Sequence, residues 1–158
     1  MIDFHTQRLE LKIPPLPLAV LVAVLMWLLA KYLPAIKIDR ALAWIVASCL
    51  GIAGVGCIAS GVMQFRTACT TVNPTKPDKA AALVTGGIYA YTRNPMYVGM
   101  TLMLLGWSVW LGSVYALILP VAFILYLNRF QIRPEEKALH ARFGSEFLAY
   151  KRRVRRWL

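Results

Sequence analysis

The stretch NPMYVGMTLMLLGWSVWLGSVYALILPVAFILYLN, residues 94–128, contains no charged side chain. An apolar run of this length reads as membrane-spanning rather than as a core element of a soluble domain. Gly112-Ser113 divides it into a tight antiparallel hairpin, about Tyr97 to Leu111 and about Val114 to Phe130. The first arm is short for a full crossing, so tilt or a thinned bilayer is expected. Pro120 is expected to kink the second arm.

Working outward, a second charge-free tract runs from Ala41 to Gln64 and supplies a span from Ala41 to about Val62. A further apolar run, Leu16 to Leu33, is opened by Pro14, Pro15 and Pro17, which suit a helix start. Lys31 near its end is placed to snorkel. The chain has 158 residues, of which 59% are hydrophobic, against ~45–50% in an ordinary soluble domain. The expected fold is an all-α integral membrane protein of one domain. It has about four transmembrane helices (16–33, 41–62, 97–111, 114–130) and two polar segments, 65–96 and 131–158.

Four spans place both termini on one side. The basic residues of the polar segments put that side in the cytoplasm, although Lys37 and Arg40 in the opposite loop weaken the bias. The expected location is a bacterial inner membrane. The start, MIDFHTQRLELK, carries Asp3 and Glu10 and reads as a polar lead rather than a secretory signal. Nine of the 18 basic residues fall at or after Arg129. A basic tail behind a membrane span is read as attraction to anionic headgroups, so membrane lipids are expected partners and nucleic acid is not.

Cys49, Cys57 and Cys69 are odd in number, and His5 and His140 are the only histidines. No disulfide framework, metal site or Ser-His-Asp arrangement follows from them. The stretch GIAGVG (51–56) superficially matches a nucleotide-binding loop, which works only between a strand and a helix. Inside a charge-free helix, Gly51, Gly54, Gly56 and Ser60 are expected to form a small-residue stripe for close packing.

The polar segments carry the chemistry. In the first, Asn73-Pro74, Lys76-Pro77-Asp78 and Gly86-Gly87 mark turns, the last of them before YAYTRNP (89–95). The second, RPEEKALHARFGSEFLAYKRRVRRWL, repeats Leu139, Phe143, Phe147, Tyr150, Val154 and Trp157 every three or four residues. It is expected to be an amphipathic surface helix interrupted near Gly144, with Pro134 and two glutamates in its first turn. Each polar residue has a plain reading: Arg93 as an interfacial anchor, the tyrosines as an aromatic belt, Glu135 and Glu136 as complements of a helix dipole. Together they flank the two ends of one hairpin. That places a guanidinium, an amide, aromatic rings and two carboxylates at one membrane face, a set that suits a zwitterion such as an adenosyl amino acid.

In LVTGGIYAYTRNPMYVG (83–99) and EEKALHARFGSEFLAYKRRV (135–154), separated by the hairpin, the chain resembles the isoprenylcysteine carboxyl methyltransferase and phospholipid methyltransferase family. The likeness runs from about Val72 to the C-terminus. It implies a membrane enzyme that binds S-adenosyl-L-methionine and methylates a lipophilic small molecule arriving from the bilayer. Carried over by position, it implies cofactor contacts at Leu83, Val84, Tyr89, Asn94, Pro95, Met96, Tyr97 and Glu135, with Glu136 as their neighbour. The family's usual histidine before proline is Asn94 here, which can hydrogen-bond a carboxylate but not act as a base. Its substrate-side arginine corresponds to Gln131, with Arg129 and Arg133 on either side as substitutes.

The expected reaction is in-line attack on a sulfonium methyl by a substrate carboxylate, with Arg93 orienting the anion or bracing the loop and the protein supplying mainly orientation. An isoprenylcysteine-like thioether acid is the expected acceptor. The alternatives are N-methylation of a phospholipid or other lipophilic amine, an NADPH-dependent membrane reductase, and a non-catalytic membrane scaffold. The sequence leaves oligomeric state open.

Overall fold

Prolines and one aspartate start the first two helices. Pro14 caps α1 (Pro15–Tyr32), with Pro15 in its first turn, where an absent N–H is no loss. Asp39 caps α2 (Arg40–Thr67) by accepting the Leu42 N–H at 2.9 Å. The computed structural model describes residues 10–34, 39–68 and 82–158. The lead before Glu10, residues 35–38 of the first loop, Cys69, and the turns expected around Asn73-Pro74 and Lys76-Pro77-Asp78 lie outside the described residues.

The remaining helices are α3 (Pro95–Leu111), α4 (Ile118–Tyr126) and α5 (Arg133–Arg153). A 3-10 turn, Tyr115–Leu117, leads into α4, and a π-helical segment, Leu127–Ile132, joins α4 to α5 without a break. Among the described residues three helical runs are long and apolar enough to cross a membrane: α1, α2 and the continuous run from Tyr115. Apolar side chains such as Leu16, Val20 and Leu21 on α1 and Ile45, Ile52 and Val55 on α2 face outward. That outward surface is what a lipid solvent requires of an integral membrane protein.

The short helix is the central one. α3 has 17 residues, about 25 Å at ~1.5 Å per residue, yet it touches α1, α2 and α4. The core gathers Val22 and Met26 of α1, Tyr97 and Leu104 of α3, Phe123 of α4, and Leu127 and Ile132 of the π segment. Trp107 on α3 donates its indole N–H to the Ala23 carbonyl at 3.0 Å.

α2 and α3 meet through glycine at a seven-residue spacing. A Cβ on Gly99 would stand 2.5 Å from the Gly54 carbonyl oxygen, and one on Gly106 would stand 3.0 Å from that of Ala47. Gly61 completes the row against Pro95 and Met96. The packing stripe expected on α2 therefore exists, but it consists of Ala47, Gly54 and Gly61. Gly51 and Gly56 have open space around them and Ser60 is exposed, because only the seven-residue spacing keeps to one face. Gly99→Ala is expected to destabilise the detergent-solubilised protein by about 1–3 kcal/mol, as overpacking does. Gly51→Ala should leave its thermal melting unchanged.

The second hairpin arm departs from α geometry at a different place than expected. Pro120 falls in the first turn of α4, where its ring is tolerated, and the distortion comes later as the π segment. Pro134 explains part of it. Its missing N–H would have bonded the Phe130 carbonyl four residues back, and the Leu11 N–H takes that acceptor instead, at 3.1 Å. This bond and a 3.3 Å ion pair between Glu10 and Arg129 tie the entry to α1 to the exit of the last span. Both therefore lie at the same membrane face. α5, expected as a surface helix with Pro134 in its first turn, is a continuation of that span.

Gly144 interrupts α5 at φ 50°, ψ −121°, a conformation that favours glycine. The bend lets Leu139 and Phe143 before it join Phe147, Tyr150 and Val154 after it in one cluster, against Leu83. The apolar stripe of α5 thus largely clamps the segment before α3 instead of lying on lipid.

Candidate active site at the membrane face

Three local features build the site. The first is a tight turn: Gly87, at φ 58°, opens a 3-10 turn (Gly87–Ala90), and the Gln64 side chain of α2 packs where a Cβ would be. The turn buries Tyr89, whose ring meets Phe65 edge-on at 5.4 Å. The second is the start of α3, where Pro95 and Tyr97 are buried and Pro95 and Met96 pack against Gly61. The third is the π segment. Its wider turn brings Gln131 and Ile132 inward, both almost wholly buried, just ahead of the two glutamates.

Glu135 is held by neutral donors. The Tyr97 hydroxyl and the Gln131 amide each donate to its Oε1 at 2.6 Å, and among the described residues Oε2 has no hydrogen-bond partner. Burial pushes its pKa up to about 7. The two hydrogen bonds pull the other way and fall short, while neighbouring Glu136 adds to the rise. A carboxylate so placed has no countercharge among the described residues.

Glu136, one residue on, has the opposite surroundings. Arg156 grips it with two hydrogen bonds, Nε to Oε1 at 3.0 Å and Nη2 to Oε2 at 2.8 Å. Arg93 Nη2 lies 3.1 Å from Oε1 and Lys151 3.7 Å from Oε2. Burial alone would raise its pKa, but Arg156, Arg93 and Lys151 together hold it below the ordinary carboxylate value. Only 9% of the Arg93 side chain is exposed, and its Nε and Nη1 are buried without a hydrogen-bond partner among the described residues. Burial lowers its pKa and Glu136 opposes that.

The C-terminal residues close the arrangement as a strap. Arg155 pairs with Thr92 in a single parallel bridge, its carbonyl accepting the Arg93 N–H at 3.0 Å. The Arg156 carbonyl accepts the Asn94 side-chain amide at 2.9 Å and the Thr92 hydroxyl at 3.3 Å. Asn128 of the π segment accepts from Trp157 at 3.1 Å and from Arg156 at 3.4 Å. The Tyr150 hydroxyl, pushed up to about 12 by burial and so a neutral donor, bonds the Tyr89 carbonyl at 2.8 Å.

The sequence-derived residues fall into groups. Tyr97 and Glu135 share a bond, with Tyr89 nearby. Arg93 and Glu136 form a second pair, and Asn94 is engaged with the strap. Leu83 lies in the α5 cluster, Val84 follows it half-buried, and Pro95 and Met96 line the contact with Gly61. Arg129 and Arg133 do not bond to Glu135. Arg129 pairs with Glu10 and stacks on Phe130, and Arg133 is exposed on the Glu136 side. Gln131 is the residue that touches Glu135. Sequence reasoning passed over Arg156, Trp157 and Asn128; the alternation of arginine with apolar residues in RVRRWL was the available signal.

A family model described as phospholipid methyltransferase matches residues 42–146. That span starts inside α2 and ends within α5, before the strap. A segment of 63 residues (40% of this chain) is 48% identical to an uncharacterized protein of Haemophilus influenzae and covers all of it. The protein-S-isoprenylcysteine O-methyltransferase of Schizosaccharomyces pombe is 34% identical over 99 residues, 61% of this chain and 41% of the yeast protein. That of Homo sapiens is 40% identical over 79 residues, 46% of this chain and 25% of the human protein. The chain thus spans between a quarter and two fifths of the length of these two enzymes. No solved structure gives a significant match.

Proposed function

This chain belongs to the phospholipid methyltransferase family, and from that premise we propose that it uses S-adenosyl-L-methionine to methylate a lipophilic acid. The acceptor class is an isoprenylcysteine-like thioether acid. The observation that carries the cofactor reading is the pairing at Glu135: one oxygen fixed by Tyr97 and Gln131, the other unbonded among the described residues, in a carboxylate with no countercharge among them. Such a group fits a ligand that brings its own positive charge. S-adenosyl-L-methionine carries a sulfonium and an ammonium, and when bound it supplies an electrophilic methyl group. The surrounding tyrosines offer ring faces to the same cation.

The protein's residues divide the remaining work. Tyr97 and Gln131 orient Glu135. Tyr150 and the α5 cluster hold Tyr89 and Leu83 in place. Arg93 keeps two buried nitrogens unpartnered among the described residues, which suits the carboxylate of the acceptor and favours O-methylation. No covalent nucleophile is required, so rate comes from orientation and exclusion of water. We assign the site to the cytoplasmic face of a bacterial inner membrane, with both termini there, on the positive-inside bias.

One observation supports a second acceptor class. A carboxylate titrating near about 7 can serve as a general base, which a lipophilic amine needs and an ionised acid does not. Transfer of labelled methyl from S-adenosyl-L-methionine to an S-prenylated thioether acid and to phosphatidylethanolamine should be measured side by side in the same detergent. Label in a base-labile ester of the acid is the expected result. Label appearing only in the phospholipid would replace the acid by the amine, and label in neither would remove the proposed acceptor classes.

A further inference from the structure

The bend at Gly144 has a second consequence, on the side of α5 away from Glu135. It folds the basic end of the helix back toward its start, and the strap comes in beside it. Between them is an open cavity of about 320 Å³ lined by Arg133, Lys137, His140, Lys151 and Arg156 around Glu136, with Phe147 and Leu148 also in its wall. Four permanent cations thus face one carboxylate. That carboxylate is already bonded by Arg156, with Lys151 and Arg93 close by. Arg133 and Lys137 have no acidic partner among the described residues and keep their charge for something else.

We propose that this cavity binds the phosphate headgroup of an anionic phospholipid. The sign and number of the charges call for a phosphate or another strong anion. The position favours a lipid source. Arg133 lies three residues, about 4.5 Å of helix, beyond Phe130 at the end of the expected span, which is headgroup level. Leu148, an exposed apolar side chain in the cavity wall, offers contact to the apolar part of a lipid but nothing to a free ion. The site differs from the methyl-transfer site: it shares none of Tyr89, Tyr97, Gln131 or Glu135, and it does not depend on the proposed reaction. Occupancy would add a counter-anion next to Arg156 and so brace the strap that carries Asn94.

The test is native mass spectrometry of the full chain released from bilayers of phosphatidylcholine mixed with phosphatidylglycerol. One retained phosphatidylglycerol is expected on the unaltered protein. Arg133→Gln with Lys137→Gln should reduce its retention roughly thirtyfold, given the usual contribution of a basic residue at an anionic surface. Arg152→Gln with Arg153→Gln removes the same charge from exposed positions outside the cavity and should leave retention unchanged. Both variants should melt like the parent, since the altered side chains are exposed. Equal loss in the two variants would overturn the proposal in favour of unspecific surface attraction. Equal retention of phosphatidylcholine, or displacement of the lipid by millimolar inorganic phosphate, would also overturn it.

Discussion

Replacing Glu135 by glutamine is expected to weaken S-adenosyl-L-methionine binding by about thirtyfold or more, the usual consequence of removing one charge from a buried pair. Melting of the ligand-free protein should be unchanged or higher. The second expectation follows from the sign of the titration. Burial raises the folded-state pKa of Glu135 to about 7, above its unfolded value, so ionisation is penalised in the fold. Stability of the empty site therefore falls as pH rises toward about 7, and the glutamine variant escapes that penalty. Binding has the opposite dependence, because the cation needs the ionised form. Affinity should climb with pH up to about 7 in the parent and stay low and flat in the variant. A fall above about pH 8 would identify the α-ammonium as the bound cation, since α-amino groups lose their proton near 7.7–8.0. A plateau would identify the permanently charged sulfonium.

Replacing Glu136 by alanine is expected to unsettle the fold itself. Among the described residues its carboxylate is the one counter-charge of Arg93, and it anchors Arg156; the Arg93 and Glu136 side chains are only 9% and 12% exposed. Removing one member of a buried pair typically costs about 3–5 kcal/mol, because the other charge is left stranded. The loss should sit toward the low end of that range here, since Lys151 and Arg156 are partly exposed and screened. The strap would lose its hold on the α5 start, and with it the support of Asn94. Differential scanning fluorimetry in detergent should show a clear drop in melting temperature for Glu136→Ala. Glu136 titrates below the ordinary carboxylate value, so its contribution is present above the unfolded pKa. It disappears as pH falls through the folded one, where parent and variant should converge.

Much of this was legible in the chain itself. Charge-free tracts of ample length show where the lipid-facing helices run, and Pro15, Pro95 and Gly112 fit their ends. The likeness of the motifs around Arg93 and Glu135 pointed to the membrane face on which the structure joins Tyr97 to Glu135. The division between the two glutamates was not legible, because adjacent identical residues carry no local mark of which one turns toward arginine. The π segment leaves no compositional trace, so Gln131 read as the loss of an arginine and not as the buried donor that fixes Glu135. The backbone pairing of the strap is one bridge, Thr92 to Arg155, across some sixty residues. Periodicity cannot reveal a single rung, and Arg156 is hidden within a run of basic residues. The glycine row was half visible: the helix was right, but the facing residues on α3 were needed to choose Gly54 and Gly61 over Gly51 and Gly56.

The assignment of Glu135 as the carboxylate that meets the cationic cofactor is tested most directly by isothermal titration calorimetry. S-adenosyl-L-methionine would be titrated into the parent and the Glu135→Gln variant, both folded, at a pH slightly above 7. Saturable binding to the parent and a loss of about thirtyfold or more in the variant is the predicted result. Equal affinity for the two proteins would contradict it.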